Sequence, residues 1–283
     1  MKKLVLVFAA FAIAAAGAFS VDFNGQVFGM VNIAEGDSVK DSEIGASGTM
    51  GRIRFNAAGR NEAGTFGAQV RLNAGSAIHE KQEVKATGYG WWKPGDMFWL
   101  AVGRHPGSFF ARDDVVAWDG DDATKKVDAS HPIAVGVGVS HASGDFGLRF
   151  RTIASFGGNE WEAVTDKDGK SVQPLTYEKS GSPFGILVDV LPSFAMNEKV
   201  TAFSSLGIAF TGATKVDGDA PDIPSAFGWH FNPYAEIGVS SVTSFFAGFR
   251  LWSDGGLNTP LDKNGARDPV VNWAIPVGIN VKF

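Results

Sequence analysis

The sequence predicts an all-β protein: a closed antiparallel barrel that crosses a membrane with strands, not helices. Three observations lead there. Apolar residues recur at every second position in about twelve runs of roughly ten residues. The connections between runs alternate strictly between short turns and long polar loops. The face opposite the apolar one is rich in Gly, Asn, Gln, Ser and Arg. The solvated face of a soluble sheet would instead favour Lys, Glu and Thr.

The first element is not part of the barrel. Met1-Lys2-Lys3 precedes an apolar stretch from Leu4 to Phe19, with small residues at Ala16-Gly17-Ala18 and Ala18-Phe19-Ser20. This is the pattern of a secretory signal peptide at 1–20, cut after Ala18 or Ser20. It falls short of the ~20 residues that a spanning helix needs. Residues 21–283 form the expected barrel domain.

The runs lie near 22–33, 48–58, 65–74, 84–92, 97–104, 132–141, 145–155, 183–192, 199–211, 226–239, 243–253 and 271–283. The last is the clearest. Trp273, Ile275, Val277, Ile279, Val281 and Phe283 share one face, with Asn272, Ala274, Pro276, Gly278, Asn280 and Lys282 on the other. Ile53 and Phe55 alternate with Arg52, Arg54 and Asn56, and Phe66, Val70 and Leu72 alternate with Gln69, Arg71 and Asn73. Phe146, Leu148 and Phe150 oppose Gly147, Arg149 and Arg151; Trp229 and Phe231 oppose His230 and Asn232; Phe249 and Leu251 oppose Arg250. Pro233 and Pro276 sit inside runs and remove ladder donors, so they are expected at bulges or run ends.

Turns fall at 59–64, 93–96, 142–144, around Met196-Asn197-Glu198, and at 240–242, whereas the intervening loops run to about 9–27 residues. That sorting puts every turn at one end of the barrel and every loop at the other, the layout of outer-membrane barrels with periplasmic turns. An even strand number returns both chain ends to the turn side. About twelve strands are expected, with ten to sixteen allowed, and the long loops are 34–47, 105–131, 156–182 and 254–270.

Composition narrows the function. There is no Cys, so disulfides, thiolate metal sites and lipoprotein anchoring are excluded. The net charge of −5 gives no basic footprint for nucleic acid. The histidines His79, His105, His131, His141 and His230 lack the spacing of a zinc site. Asp166-Lys167-Asp168-Gly169 looks like a calcium loop, but the twelfth position is Tyr177 where Glu is required. No cofactor or metal is expected. No catalytic motif is present, so no enzyme is expected either, although a Ser–His pair on adjacent strands would leave no local signature.

The C-terminal run ending in Phe283, with Val281 and Ile279 before it, resembles the terminal strand of bacterial outer-membrane proteins. The resemblance implies that these residues are read by the barrel assembly machinery. A second likeness covers residues 48–106. Gly51-Arg52-Ile53-Arg54-Phe55-Asn56 through Gly64-Thr65-Phe66-Gly67-Ala68-Gln69-Val70 is similar to the second hairpin of Gram-negative general porins. Tyr89-Gly90 to Leu100-Ala101-Val102-Gly103-Arg104 is similar to their next hairpin, which ends in Gly-Arg before a constriction loop. The chain departs from that family in lacking Pro-Glu-Phe-Gly-Gly after this point and in its strand number.

By that resemblance Arg52 and Arg104 match pore-lining arginines, although Arg104 shares parity with Leu100 and Val102 and reaches the lumen only if the strand ends or bulges there. The alternation itself places Arg52, Arg54, Arg71, Arg149, Arg151 and Arg250 on the inner face, against the acids Asp189 and Glu236. Basic rings in a narrow wet channel favour anions. The loop 105–131 carries Asp113, Asp114 and Asp119 among its acids. Folded inward they would face the arginines across a constriction; left outside they are a solvated loop. The expected function is porin-like passive diffusion of small hydrophilic solutes or ions through the outer membrane, anion-favouring. The alternative is a plugged structural barrel whose loops bind a partner. Outer-membrane lipid is the expected surroundings, and a homotrimer is compatible with the family likeness.

Overall fold

Side chains on a strand point alternately to its two faces, so an alternating run buries one face only by joining a sheet. In the computed structural model thirteen strands do this in a single antiparallel sheet. The structure describes residues 19–38, 43–74, 84–104, 133–156, 184–212, 225–253 and 270–283. The strands are β1 (Phe19–Asp37), β2 (Glu43–Asn61), β3 (Phe66–Ala74), β4 (Val84–Trp92), β5 (Phe98–Arg104), β6 (Ile133–Ser143) and β7 (Phe146–Phe156). They continue as β8 (Phe184–Ala195), β9 (Val200–Thr211), β10 (Ala226–Gly238), β11 (Thr243–Gly248), β12 (Arg250–Ser253) and β13 (Val271–Lys282).

Each strand from β1 to β10 pairs with its successor, β12 pairs with β13, and β1 pairs with β13, so the sheet closes on itself. β11 and β12 share one place in the ring, because both pair with β10 on one side and β13 on the other. The barrel therefore has twelve staves. Closure runs from Gln26 opposite Lys282 to Asp37 opposite Asn272. It is completed by two backbone bonds, Gly25 N–H to Phe283 O at 2.7 Å and Phe283 N–H to Gly25 O at 3.0 Å. A closed ring leaves no lateral edge in which backbone groups go unpaired, the condition for a sheet to sit in hydrocarbon.

The gap at Phe249 has a local cause. Phe249 N–H donates to the Pro233 carbonyl at 2.9 Å, but Pro233 has no N–H to return. The register of β13 with β11 and β12 brings Pro276 to the level of Gly248. On its other side Pro276 faces Asn32, where β1 shifts register between Asn32 and Ala34. Both prolines thus converge on one irregular patch of an otherwise regular ladder.

The turns close with side-chain help. Asn61 Oδ1 accepts from Phe66 N–H at 3.0 Å, and Gly64 takes φ +65°, a conformation that favours glycine. Gly144 does the same at φ +57° between β6 and β7. Asn197 Oδ1 accepts from Lys199 N–H and Val200 N–H, each at 2.9 Å. One expectation is corrected: most of 34–47 is strand, and only 38–42 separates β1 from β2. The expected signal segment lies outside the described residues, apart from Phe19 and Ser20 at the start of β1.

Candidate functional site: the lumen wall

One parity of every strand points inward, and it is here that the described polar residues are buried. Gln26, Asn32, Arg54, Arg151, Ser155, Asp189, Ser205, His230, Asn232, Ser244, Arg250 and Asn280 all belong to the buried set. The outward parity carries exposed Phe55, Phe66, Phe150, Ile208, Phe227 and Ile279. Phe283 lies on this outer side, where its ring covers Gly25 and meets Phe55 edge-on at 5.9 Å between centroids. Val281 and Ile279 share its parity, so the three terminal-strand residues form one outward row.

The inner wall of β13, β1, β2, β3 and β4 is a ladder of amides and guanidiniums. Gln26 Nε2 donates to Asn280 Oδ1 at 2.7 Å, and Arg54 Nη1 donates to Gln26 Oε1 at 3.4 Å. Arg71 Nε and Gln69 Nε2 both donate to Asn56 Oδ1, at 2.8 and 3.2 Å. Tyr89 OH donates to Gln69 Oε1 at 3.3 Å. The strand register dictates these contacts, since Gln26 faces Arg54 and Asn56 faces Arg71.

On the opposite wall, a charged row crosses four strands. Arg151 of β7 faces Asp189 of β8 in register. Its Nε donates to Oδ1 at 2.7 Å and its Nη2 donates to Oδ2 at 2.6 Å, a fork that fits the carboxylate plane. Asp189 next faces Gly207 of β9, which faces His230 of β10. A Cβ at Gly207 would collide with both the imidazole and the Asp189 side chain, so the absent side chain is what admits the ring. His230 Nε2 lies 2.7 Å from Ser205 Oγ. On the loop side of this row sit buried Ala134, Ile153, Leu187 and Ala209, an apolar cover over the ion pair.

Aromatic rings fill the turn-side part of the wall. Phe203 stacks on Tyr234 at 5.1 Å, and Phe28 stacks on Phe246 at 5.3 Å. Tyr89, Trp99 and Ala101 form a further buried cluster. The Arg250 guanidinium lies 4.4 Å above the Trp252 ring, a cation–π contact.

Of the residues expected in the pore, Arg54, Arg151 and Arg250 are inward and buried, and Arg71, Arg149 and Glu236 are inward and half-buried. Arg52 shares the register parity of Arg54, opposite Phe28. Arg104 is corrected: it pairs with Gly88 in unbroken ladder order and keeps the outward parity of Leu100 and Val102, where it is exposed. It is the last residue of β5 and follows Gly103 at φ +147°, yet the ladder with β4 keeps its register through it. Asp113, Asp114 and Asp119 lie outside the described residues. The Ser205–His230 contact went unpredicted. The inward parity of His230 was readable from Trp229 and Phe231, but its meeting with β9 depends on a register that no single run encodes.

Fold and wall together define an all-β transmembrane-type barrel, apolar outside and polar within. No family model and no curated protein matches the chain by sequence. Solved structures are similar in fold. The OmpT outer membrane protein of Vibrio cholerae, in a loop L8 deletion form, matches at 12% identity, covering 94% of this chain and 100% of that one, with TM-score 0.44. OmpT folded in vitro, described as a trimer form, matches at 12% identity over 94% and 100%, with TM-score 0.41. The CymD monoaromatic hydrocarbon channel matches at 9% identity, covering 92% of this chain and 88% of that one, with TM-score 0.46. Likeness of this degree bears on neither solute nor assembly.

Proposed function

We propose that this chain is an outer-membrane channel for passive diffusion of small hydrophilic solutes, with a preference for anions. The observation that carries the reading is inverted burial. Arg54 is 3% exposed and Asp189 1%, whereas Phe23 is 79% exposed, Phe227 56% and Phe66 52%. Soluble proteins rarely present contiguous apolar patches beyond a few hundred Å². Here a belt of Val, Ile, Leu and Phe surrounds every strand, which lipid would cover and water would not. Outward Trp92, Trp229 and Trp273 lie near strand ends, as interfacial residues do.

Ion preference follows from the wall. Arg52, Arg54, Arg71, Arg149, Arg151 and Arg250 carry the inward parity, against Asp189 and Glu236, among the charges expected there. Anions therefore gain and cations lose on entry. The proposal is porin-like, not general-porin: the hairpins β2–β3 and β4–β5 fit the sequence likeness, but twelve staves do not match about sixteen. The same likeness extends the proposal to a homotrimer, which analytical ultracentrifugation in detergent checks. The outward row Phe283, Val281 and Ile279 supports a role for these residues as an assembly signal.

A second reading has its own support. Trp99, Phe28, Leu187 and Asn280 are inward yet almost wholly buried. Eight-stranded barrels are filled by side chains and those of sixteen or more are open, so twelve admits a packed lumen. Planar-bilayer recording decides. Stepwise conductance with an anion-directed reversal potential is expected; persistent silence from a correctly folded barrel would leave the structural reading standing.

A further inference from the structure

We propose that Arg104 docks an outer-leaflet lipid against the barrel by binding the phosphate of its headgroup, a role that rests on the outer-membrane reading above.

Arg104 is the charge that the channel reading leaves unused. The family likeness aims it at the lumen, and the ladder turns it outward, where it is exposed. Among the described side chains on the strands it is the one Lys, Arg, Asp or Glu of outward parity. Asp22, Glu35, Asp37, Arg54, Arg60, Arg71, Arg149, Arg151, Asp189, Glu236, Arg250 and Lys282 all carry the inward parity. Along β5 the outward neighbours of Arg104 are Val102 and Leu100, and across the ladder stands Gly88 of β4, which has no side chain. On the other flank Gly103 faces Ala134, so Arg104 stands beside Ile133. Among the described residues this face offers it no carboxylate.

A cation on the lipid face is costly in the middle of the hydrocarbon and costs little at its boundary, so height decides what Arg104 meets. On the same face the turn end is marked by His141, the outward titratable side chain of β6. It lies eight positions from Ile133. At ~3.3 Å per residue and a tilt of ~40°, the two ends are about 20 Å apart in height. That is close to the ~25 Å apolar band of an outer-membrane barrel. Between them the outward residues are Val135, Val137 and Val139 on β6, with Phe98, Leu100 and Val102 on β5. Arg104 thus marks the loop-side edge of the belt. With the turns in the periplasm, that edge meets the outer leaflet, built of a phosphorylated glycolipid whose membrane anchor is lipid A. A guanidinium is planar and always charged, and it matches phosphate through two parallel N–H···O bonds. Its stem lies along apolar wall while the head reaches the headgroups.

The test is retention of lipid A by the folded barrel, read by native mass spectrometry after release from zwitterionic micelles seeded with lipid A. Arg104→Gln removes the charge and Arg104→Lys keeps it. Wild type should retain lipid A and Arg104→Gln about five-fold less, the weight of one arginine at an anionic membrane surface. Arg104→Lys should retain most of it. Arg60→Gln removes an exposed arginine at the turn end and should match wild type. Equal retention by wild type and Arg104→Gln overturns the proposal, and so does an equal loss in Arg60→Gln. Equal retention of dephosphorylated lipid A by wild type also overturns it, because phosphate is then not the group recognised. A changed oligomeric state in Arg104→Gln with wild-type lipid retention assigns the residue to a protein contact, and the lipid role falls. If Arg104→Gln does not fold, Arg104→Met, which suits the apolar neighbours, replaces it. Recovery of wild type from the soluble fraction without detergent would end the outer-membrane reading itself.

Discussion

Arg151 and Asp189 show what a single pair of positions does in this wall. Their charges are removed from water beneath Ile153 and Leu187, and the fork of short bonds offsets that cost. A buried pair of this kind adds little over a hydrophobic replacement, but breaking it strands a charge. Asp189→Asn should therefore destabilise the barrel by about 3–5 kcal/mol, read as an earlier urea midpoint for loss of the heat-modifiable folded band. Replacing both residues with apolar ones, Arg151→Met with Asp189→Leu, should recover most of the loss. Equal damage from the single and double variants would contradict this account. The inward face of both residues was legible in the sequence, because Arg151 alternates with Phe150 and the period of a strand is two. That they meet each other was not, since pairing depends on the offset between two runs separated by a long loop. The same limit hid Ser205 from His230. It did not hide the parity of Arg104, which its own neighbours Leu100 and Val102 already indicated.

Among elements, the seam between β1 and β13 is where a sheet becomes a barrel. Its last rung is Gly25 with Phe283, joined by two backbone bonds and covered on the outside by the terminal ring. Deleting Phe283 removes both bonds, a loss of about 1–3 kcal/mol at 0.5–1.5 kcal/mol for each. Refolding into detergent micelles should give a lower yield of folded barrel, and Phe283→Tyr should restore it. Unchanged yield on deletion would remove the seam from the closing step. The strands were legible because lipid on one face and a wet lumen on the other impose alternation over each crossing. β4, expected at 84–92, is Val84–Trp92. Where that constraint ends, so does the signal. Ala34–Asp37 and Glu43–Ser47 continue β1 and β2 beyond the apolar belt, and their polar, small-residue sequence reads as loop. Pro233 and Pro276 were recognised as misfits, but their convergence on Phe249 required the ladder itself.

The whole molecule is sided, and this governs what its charges face. Five short turns, including Lys93–Met97 and Met196–Lys199, are at one end of the staves, and the connections at the other end are longer, apart from the five residues 38–42 between β1 and β2. An outer-membrane barrel inserted with its turns in the periplasm keeps Phe283 on the side from which assembly proceeds. The natural absence of cysteine makes this orientation directly measurable. Single substitutions Asp96→Cys and Glu198→Cys place a thiol at exposed turn positions, while Ser38→Cys and Ser225→Cys place one at exposed positions on the loop end. In intact cells a membrane-impermeant maleimide should label Ser38→Cys and Ser225→Cys and spare the turn-end variants, which become reactive after the outer membrane is disrupted. Labelling of the turn end alone would invert the molecule. It would place the arginine ladder and the His230 row in an opposite order along the path of an entering anion. Labelling of all four sites in unbroken cells, as for a protein in solution, would remove the chain from the membrane altogether. The exposed Val, Ile and Phe belt would then need a protein partner in place of lipid.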